Sequence, residues 1–137
     1  MGIDPRGPRF GAVITTIVLA IALVTGSGWL LLAQTVVFAI GALAGLRYAP
    51  YGLVYRALVR PRLGPPAELE AESPPRFAQG VGMMCAAIAT IGFLAVSPVL
   101  GVAFTGLALI AAFLNAAFDL CLGCHMYLFI QRLRPAQ

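Results

Sequence analysis

Charged side chains are scarce in this chain, and lysine is missing altogether. Only 10% of the 137 residues are charged and 61% are hydrophobic, whereas a soluble domain carries about 25% charged residues. There are too few charges here to cover a soluble surface. Together with a mean hydropathy of +0.94, this scarcity predicts an integral membrane protein in which residues 1–137 form a single domain.

The nine cations are all arginines, and they give the chain a formal net charge of +4. They flank apolar runs and do not form a basic stripe with interleaved aromatic residues. The sequence therefore predicts a lipid bilayer with an anionic surface as partner, and it excludes nucleic acid. Glu68, Glu70 and Glu72 alternate in a Pro-rich stretch without the Asn, Gly or His that a calcium loop or other metal site would need, so no metal site is predicted there.

Four apolar runs predict an all-α fold: an integral membrane four-helix bundle made of two helical hairpins. The helices are expected at about residues 10–25, 29–46, 77–96 and 100–130, with a cytoplasmic linker at 47–76. No cleavage site of the A-x-A type follows the first run, so we expect a membrane helix there and not a cleaved signal. The fourth run would form a helix about 45 Å long, which exceeds the roughly 30 Å bilayer core, so it must tilt, kink or project.

Arginine and tyrosine alternate with leucine and valine in the first part of the linker, a composition typical of the membrane–water boundary. We expect a short interfacial helix around residues 51–60, serving as an anchor or as a docking site for a partner or an anionic lipid. The tripeptide Pro-Arg-Phe opens both hairpins, at residues 8–10 and 75–77, and indicates a faint internal repeat.

The distribution of charge predicts the topology. Arginines stand before the first helix, in the linker and after the last helix, while the two hairpin tips, at residues 26–28 and 97–98, carry no charge. By the positive-inside rule, the chain is expected in the inner (plasma) membrane as a multi-pass protein with both termini cytoplasmic.

Cysteine is also sparse, and two of the three cysteines stand beside the only histidine in the sequence Cys121-Leu122-Gly123-Cys124-His125. On a regular helix Cys121, Cys124 and His125 would share one face. The letters match the c-type haem motif. Haem is attached at the outer face, however, and the charges place this stretch near the inner one, so a haem site is rejected.

Three interpretations of the thiols stay open. The first is a redox dithiol of Cys121 and Cys124, in which His125 as an imidazolium stabilises a thiolate. The dipole at the nearby helix C-terminus would destabilise that thiolate. Because a disulfide within a regular helix is strained, the pair is predicted to rest reduced. The second is a metal or persulfide site in which Cys85, at a similar depth, completes a Cys₃His set. In the third, the cysteines are small buried hydrophobic residues.

Asn115 and Asp119 are the other exceptional residues, since both are polar and both stand inside the fourth apolar run. They are four residues apart and share a helix face with Ala112. An acid within a membrane is expensive and usually faces the bundle interior or a partner. We therefore expect Ala112 and Asp119 to pack against other helices, with Asp119 as a structural residue.

Several blocks of the sequence are similar to those of one known family. The blocks are DPRGPRF at 4–10, LVRPRLGPPAELE at 58–70, PPRFAQ at 74–79, AFLNAAF at 112–118 and CLGCHMYL at 121–128. They cover nearly the whole chain, which resembles DUF4395, a family of small actinobacterial membrane proteins of unknown function. The family pattern has an acid after the second cysteine, where this chain has His125. The resemblance therefore extends to Cys121 and Cys124 but not to the histidine.

Members of this family often look like neighbours of thioredoxin-like and sulfurtransferase proteins, which implies thiol or sulfur handling by association. The leading hypothesis is a membrane component of thiol or sulfur metabolism that uses Cys121 and Cys124 near the cytoplasmic face. Thioredoxin-like or sulfurtransferase proteins are its expected partners, and no cofactor is identified. The alternative hypothesis is a non-catalytic accessory or assembly subunit of a larger membrane complex, such as a respiratory one.

Overall fold

The computed structural model is helical almost throughout the residues it describes, which are 2–3, 6–64, 69–71, 73–118 and 120–133. The predicted all-α class is confirmed, with one small addition in a two-residue strand pair. In chain order the elements are β1 (Gly2–Ile3), α1 (Arg6–Thr25), α2 (Gly28–Ala39), α3 (Pro50–Val54), α4 (Arg60–Leu63), β2 (Glu70–Ala71), α5 (Ser73–Ile91), α6 (Pro98–Phe118) and α7 (Leu122–Leu133). β1 and β2 pair antiparallel.

Short irregular turns extend or join several of these helices. Five-residue π-helical turns continue α2 and α5, and a third one joins α3 to α4; they are Ile40–Ala44, Gly92–Val96 and Tyr55–Val59. Since α3, its π-turn and α4 follow one another without a gap, we call residues 50–63 the linker helix. It replaces the shorter interfacial helix predicted around residues 51–60.

Three helices are long and apolar enough to cross a membrane, namely Arg6–Thr25, Ser73–Val96 and Pro98–Phe118, and a fourth, Gly28–Ala44, is apolar but shorter. They correspond to the four predicted runs. The first and third begin earlier than predicted because the Pro-rich stretches at residues 8 and 74–75 form their first turns. Proline is accepted there, since the N–H that it lacks would have no partner within the helix.

Serine closes each of the two hairpin turns and caps the helix that follows. Ser27 Oγ accepts a hydrogen bond from the N–H of Leu30 at 3.1 Å, and Ser97 Oγ accepts one from the N–H of Val99 at 3.2 Å. Ser27 is a standard N-cap, because its side chain satisfies one of the N–H groups that the first helical turn leaves unpaired. The chain can therefore reverse direction within one or two residues.

The prediction of one continuous helix over residues 100–130 is wrong, because the structure has two helices there. The N–H of Leu120 donates to the carbonyl of Leu114 at 3.1 Å across the end of α6, and α7 begins two residues later. The 21 residues of α6 span about 32 Å, which matches a bilayer core of roughly 30 Å. The break therefore removes the excess length noted in the sequence. Asp119, which was expected to pack against other helices, lies outside the described residues.

Contacts between helices repeat in the two halves of the chain. α1 packs along α6, and α5 packs in the same way along α2. The buried cluster between them consists of Leu19, Ala22, Leu31, Ala89 and Ala108. Ala112 packs against this cluster, as predicted from its place on the small-residue face of the fourth run.

Arginines in equivalent first turns close the ends of the opposite helices. Arg9 donates from Nε to the carbonyl of Ala116 at 3.2 Å, near the end of α6. Arg76 donates from Nε and Nη2 to the carbonyls of Ala42 and Leu43 at 2.7 and 2.9 Å, at the end of the π-helical turn after α2. A helix leaves its last carbonyls unpaired, so each guanidinium supplies missing donors. The Pro-Arg-Phe repeat thus marks structurally equivalent positions.

A candidate dithiol site at the start of α7

The two cysteines of the pair do not lie on one face of a regular helix, because Cys121 precedes α7 and only Cys124 is within it. Cys121 is the last residue before α7, and Cys124 is in the first turn of that helix. The predicted common face with His125 is therefore wrong. The predicted position near a helix C-terminus is wrong as well, since the pair lies at a helix N-terminus.

Cys121 occupies the position of an N-cap residue. Its carbonyl accepts the first intrahelical hydrogen bond, from the N–H of His125 at 3.0 Å. Its Sγ accepts a hydrogen bond from the N–H of Cys124 at 3.2 Å. An N-cap side chain normally supplies an oxygen for this purpose, and here a sulfur takes its place. The positive end of the helix dipole therefore points at the Cys121 sulfur.

Cys121 and Cys124 are joined by a disulfide, and their Cα atoms are 5.2 Å apart. This distance lies within the range that disulfides normally adopt, about 4.4–6.8 Å. The prediction that the pair rests reduced assumed two cysteines within a regular helix. It does not hold for this arrangement, because the backbone of Cys121 is free of the helical geometry that would hold the side chains apart.

Helix α7 is held in place by the first turns of α5. The rings of Phe77 and Tyr127 have their centroids 5.6 Å apart. One turn earlier, Gly123 lies so close to Ala78 that an added Cβ would be 2.5 Å from the Ala78 Cβ and 2.6 Å from its Cα. Gly123 separates the two cysteines in sequence, so this close approach also fixes the position of the disulfide relative to α5.

The first half of the chain has the same arrangement without the thiols. Phe10 and Tyr55 have ring centroids 5.6 Å apart at an interplanar angle of 50°, the same values as for the second pair. Counting back from the equivalent tyrosines, Ala49 and Gly52 stand where the second half has its cysteines. The potential for redox chemistry at this position is therefore confined to the second half.

Tyr51 stands at the position equivalent to Gly123, and it makes a polar contact of its own. Its hydroxyl donates to Oε1 of the buried Gln34 at 2.7 Å, while Gln34 Nε2 is buried without a hydrogen-bond partner among the residues that the structure describes. Burial raises the pKa of the Tyr51 phenol above its ordinary value. The linker helix is thus attached to α2 as well as to α1.

The other residues considered in the sequence are not gathered at the dithiol. Cys85 is a free, half-buried cysteine that packs against the core cluster; it lies two turns along α5 from Ala78, about 10 Å away by helical rise. His125 is exposed and Asn115 half-buried. Among the described residues no three His, Cys, Asp or Glu side chains lie close enough to hold a metal ion, so the Cys₃His set that the sequence left open as one interpretation is not formed there.

Sequence reasoning missed the residues that position the site, namely Phe77, Ala78 and Tyr127. A signal for them was present, because the Pro-Arg-Phe repeat includes the two phenylalanines that contact the two tyrosines. Their pairing became visible only in the folded chain.

The family model of DUF4395, a domain of unknown function, matches residues 3–132. The chain belongs to the DUF4395 family. This confirms the resemblance based on the sequence blocks, and the matched range takes in both halves of the repeat together with Cys121 and Cys124. No curated protein and no solved structure significantly matches this DUF4395 chain.

Proposed function

We propose that this DUF4395 protein is a four-helix protein of the inner membrane in which Gly28–Ala44 forms the fourth span. Two observations support the arrangement. In each of the three long helices, only 17–28% of the most apolar stretch is buried within the protein. Most of the surface of these helices is therefore left for lipid. The shorter helix also packs along α5, and its 12 α-helical residues with the five-residue π-turn reach the lower limit of about 17 residues for a span.

The same proposal places both termini and the dithiol at the cytoplasmic end. Arginines at this end close the ends of α6 and of the helix after α2, while the opposite hairpin turns hold no charged residue. The positive-inside rule assigns the arginine-rich end to the cytoplasm. The start of α7 follows directly on the cytoplasmic end of α6 and therefore belongs to this side.

We propose further that Cys121 and Cys124 carry out thiol–disulfide exchange with an external disulfide. The observation that carries this proposal is the capping of α7 by the Cys121 sulfur, which accepts the N–H of Cys124 at 3.2 Å. A cysteine at a helix N-terminus is the one that is stabilised as a thiolate, and the thiolate is the attacking species. Cys121 is therefore assigned as the attacking cysteine and Cys124 as the resolving one.

The exchange takes place in two steps. In the reduced protein, the Cys121 thiolate attacks one sulfur of the external disulfide; an S–S bond forms to Cys121, and the other sulfur leaves as a thiolate. The Cys124 thiolate then attacks the Cys121 sulfur, so that the internal disulfide forms and the second external thiol is released. The protein loses two electrons and two protons, and the external disulfide gains them. The reverse sequence reduces the protein again.

Variants in which one cysteine of the pair is replaced by serine test this assignment. In reduced membranes, Cys124→Ser retains the capping thiol, and we expect it to form a mixed disulfide with an aromatic disulfide reagent at least about tenfold faster than Cys121→Ser does. Cys85→Ser is the matched control, which should react like the wild type at the pair. Equal rates for the two single variants, or the opposite order, would refute the roles given to Cys121 and Cys124.

A redox titration of the native membranes tests the function itself. Alkylation of free thiols followed by mass spectrometry should show Cys121 and Cys124 changing together between disulfide and dithiol, while Cys85 remains reduced. If the pair keeps one state over the whole range and takes up no sulfane sulfur, thiol chemistry is refuted. The protein would then be assigned as an accessory subunit of a larger membrane complex.

A further inference from the structure

The linker helix ends in a pocket with two arginines in its wall. The pocket is open, has a volume of about 300 Å³, and is lined by Arg56, Arg60, Pro61 and Gly64. This volume is at the lower end of the range for ligand sites, about 300–1,000 Å³. The guanidinium groups give the pocket a positive character that the thiol chemistry does not use.

In the proposed membrane arrangement, contacts to α1 put this pocket at the level of the membrane surface. Arg6, the first residue of α1, donates from Nη2 to the carbonyl of Gly64 at 2.8 Å. The first helix that is long and apolar enough to cross a membrane begins at that same residue. A pocket wall attached to this residue lies where the hydrocarbon core gives way to headgroups. The contact also brings Arg6 close to the pocket that Arg56 and Arg60 line. Leu63, next to the pocket, has 55% of its surface exposed.

The position of Arg56 is held by a hydrogen bond to another segment of the chain. Arg56 Nη2 donates to the carbonyl of Arg47, which ties the pocket wall to the turn after α2. A guanidinium has five N–H donors, so this bond leaves others to meet an anion. Arginine pairs with phosphate oxygens through two parallel hydrogen bonds, a geometry that lysine cannot provide.

The second half of the chain does not repeat this pair of cations. With Tyr127 equivalent to Tyr55, the counterparts of Arg56 and Arg60 are Leu128 and Arg132. The linker helix contacts α1 in the same way as α7 contacts α5, but the two helices differ in their chemistry. One presents the dithiol at its start, and the other presents a two-arginine pocket at its end.

We infer that this pocket binds the headgroup phosphate of an anionic phospholipid from the cytoplasmic leaflet. Charge complementarity favours this occupant, because arginines at a membrane surface attract anionic lipids. The contact of Gly64 with the start of α1 and the exposed Leu63 beside the pocket favour a phosphate that carries acyl chains over a free phosphate. The inference rests on the proposed membrane arrangement but not on the thiol chemistry, and it applies equally to a protein whose cysteines have been replaced.

Binding to lipids in detergent tests the inference with the full chain. Delipidated protein is titrated with phosphatidylglycerol and, separately, with phosphatidylcholine of the same chain length, and complexes are counted by native mass spectrometry. We expect phosphatidylglycerol to bind about tenfold more tightly or better, and the double variant Arg56→Gln/Arg60→Gln to lose most of this preference. The double variant Arg62→Gln/Arg132→Gln loses the same charge outside the pocket and should keep the preference.

Other results would overturn the inference. An equal loss of preference in both double variants would show diffuse attraction to charge and no site. Competition by inorganic phosphate at the concentration of the lipid would identify a site for free anions. If Arg56→Gln/Arg60→Gln does not fold, Arg56→Lys/Arg60→Lys replaces it: this variant keeps the charge, loses the paired hydrogen bonds, and should bind phosphatidylglycerol more weakly than the wild type.

Discussion

The ring centroids of Phe77 and Tyr127 lie 5.6 Å apart, and this contact joins the first turn of α5 to the helix that begins at the dithiol. The same distance and the same angle of 50° separate Phe10 from Tyr55 in the first half of the chain. One half therefore serves as an internal control for the other, since equivalent substitutions change equivalent contacts but only one of them adjoins a thiol.

Replacing the two phenylalanines separates stability from redox chemistry. Phe77→Leu and Phe10→Leu should each lose a ring pair, at about 0.5–1.5 kcal/mol beyond the loss of buried area. Only Phe77→Leu should also change the reduction potential of the Cys121–Cys124 pair, because only its partner lies on α7. Thermal unfolding and thiol titration measure the two effects. A change of potential in both variants, or in neither, would contradict the role assigned to this contact.

Gly123 is expected to tolerate no side chain. Gly123→Ala places a methyl group within about 2.6 Å of Ala78 and should destabilise the protein by roughly 1–3 kcal/mol through overpacking. Moving α7 away from α5 should also change the rate at which Cys121 reacts. Gly106→Ala is the control, because a Cβ added there meets nothing within 4 Å. If the two variants unfold at the same temperature, the close approach does not constrain α7.

Arg76 should contribute more to stability than Arg9, because it donates two hydrogen bonds to helix-end carbonyls and Arg9 donates one. Hydrogen bonds from charged groups are worth about 1.5–3 kcal/mol each. Arg76→Gln should therefore lower the free energy of unfolding more than Arg9→Gln, as measured by denaturant titration in detergent. The exposed Arg62, changed to Gln, should alter it by no more than about 0.5 kcal/mol. Equal effects of all three would refute the capping role.

Tyr51→Phe removes the hydrogen bond to Gln34 and leaves both ends of this buried amide without a partner. A buried polar group that loses its partner costs about 1–3 kcal/mol, so the variant should unfold at a lower temperature. Tyr48→Phe is the control, because it likewise removes only a hydroxyl group and Tyr48 is 53% exposed. The prediction fails if the two variants are equally stable.

The same tyrosine predicts a loss of stability in alkali. Burial holds the pKa of the Tyr51 phenol above its ordinary value of about 10. The neutral phenol therefore contributes its full stabilisation below that value, and this contribution is lost as the pH rises through the pKa of the folded protein. Tyr51→Phe should remove the Tyr51 part of this alkaline dependence, which unfolding measured from neutral pH to well above about pH 10 would reveal.

Impermeant thiol labelling tests the proposed topology. In a background without native cysteines, a cysteine at Ser27 in the first hairpin turn should react from outside intact cells, and one at Ser73 at the start of α5 should not. Both serines lie at helix starts, so the two probes differ mainly in their side of the membrane. Labelling of Ser73→Cys alone would reverse the orientation and place the dithiol outside.

Four apolar runs and the scarcity of charge were enough to predict an all-helical chain with membrane-spanning segments, because hydrophobic length is a property of consecutive residues. The family was recognised from blocks of sequence for the same reason. The Pro-Arg-Phe repeat was visible too, although its meaning was not, since the arginine and the phenylalanine act on helices from another part of the chain.

Only the tertiary structure decided where the last run breaks, and with it the character of the dithiol. Apart from Asn115 and Asp119, the sequence is apolar on both sides of Cys121, so its hydrophobic pattern does not predict that α6 ends before this residue. The break coincides with the bond from the N–H of Leu120 to the carbonyl of Leu114 and with the packing of Gly123 on Ala78. That packing joins residues 45 positions apart, which no local pattern encodes. It turned two cysteines predicted near the end of one helix into a disulfide at the start of another, where the helix dipole favours a thiolate instead of opposing it.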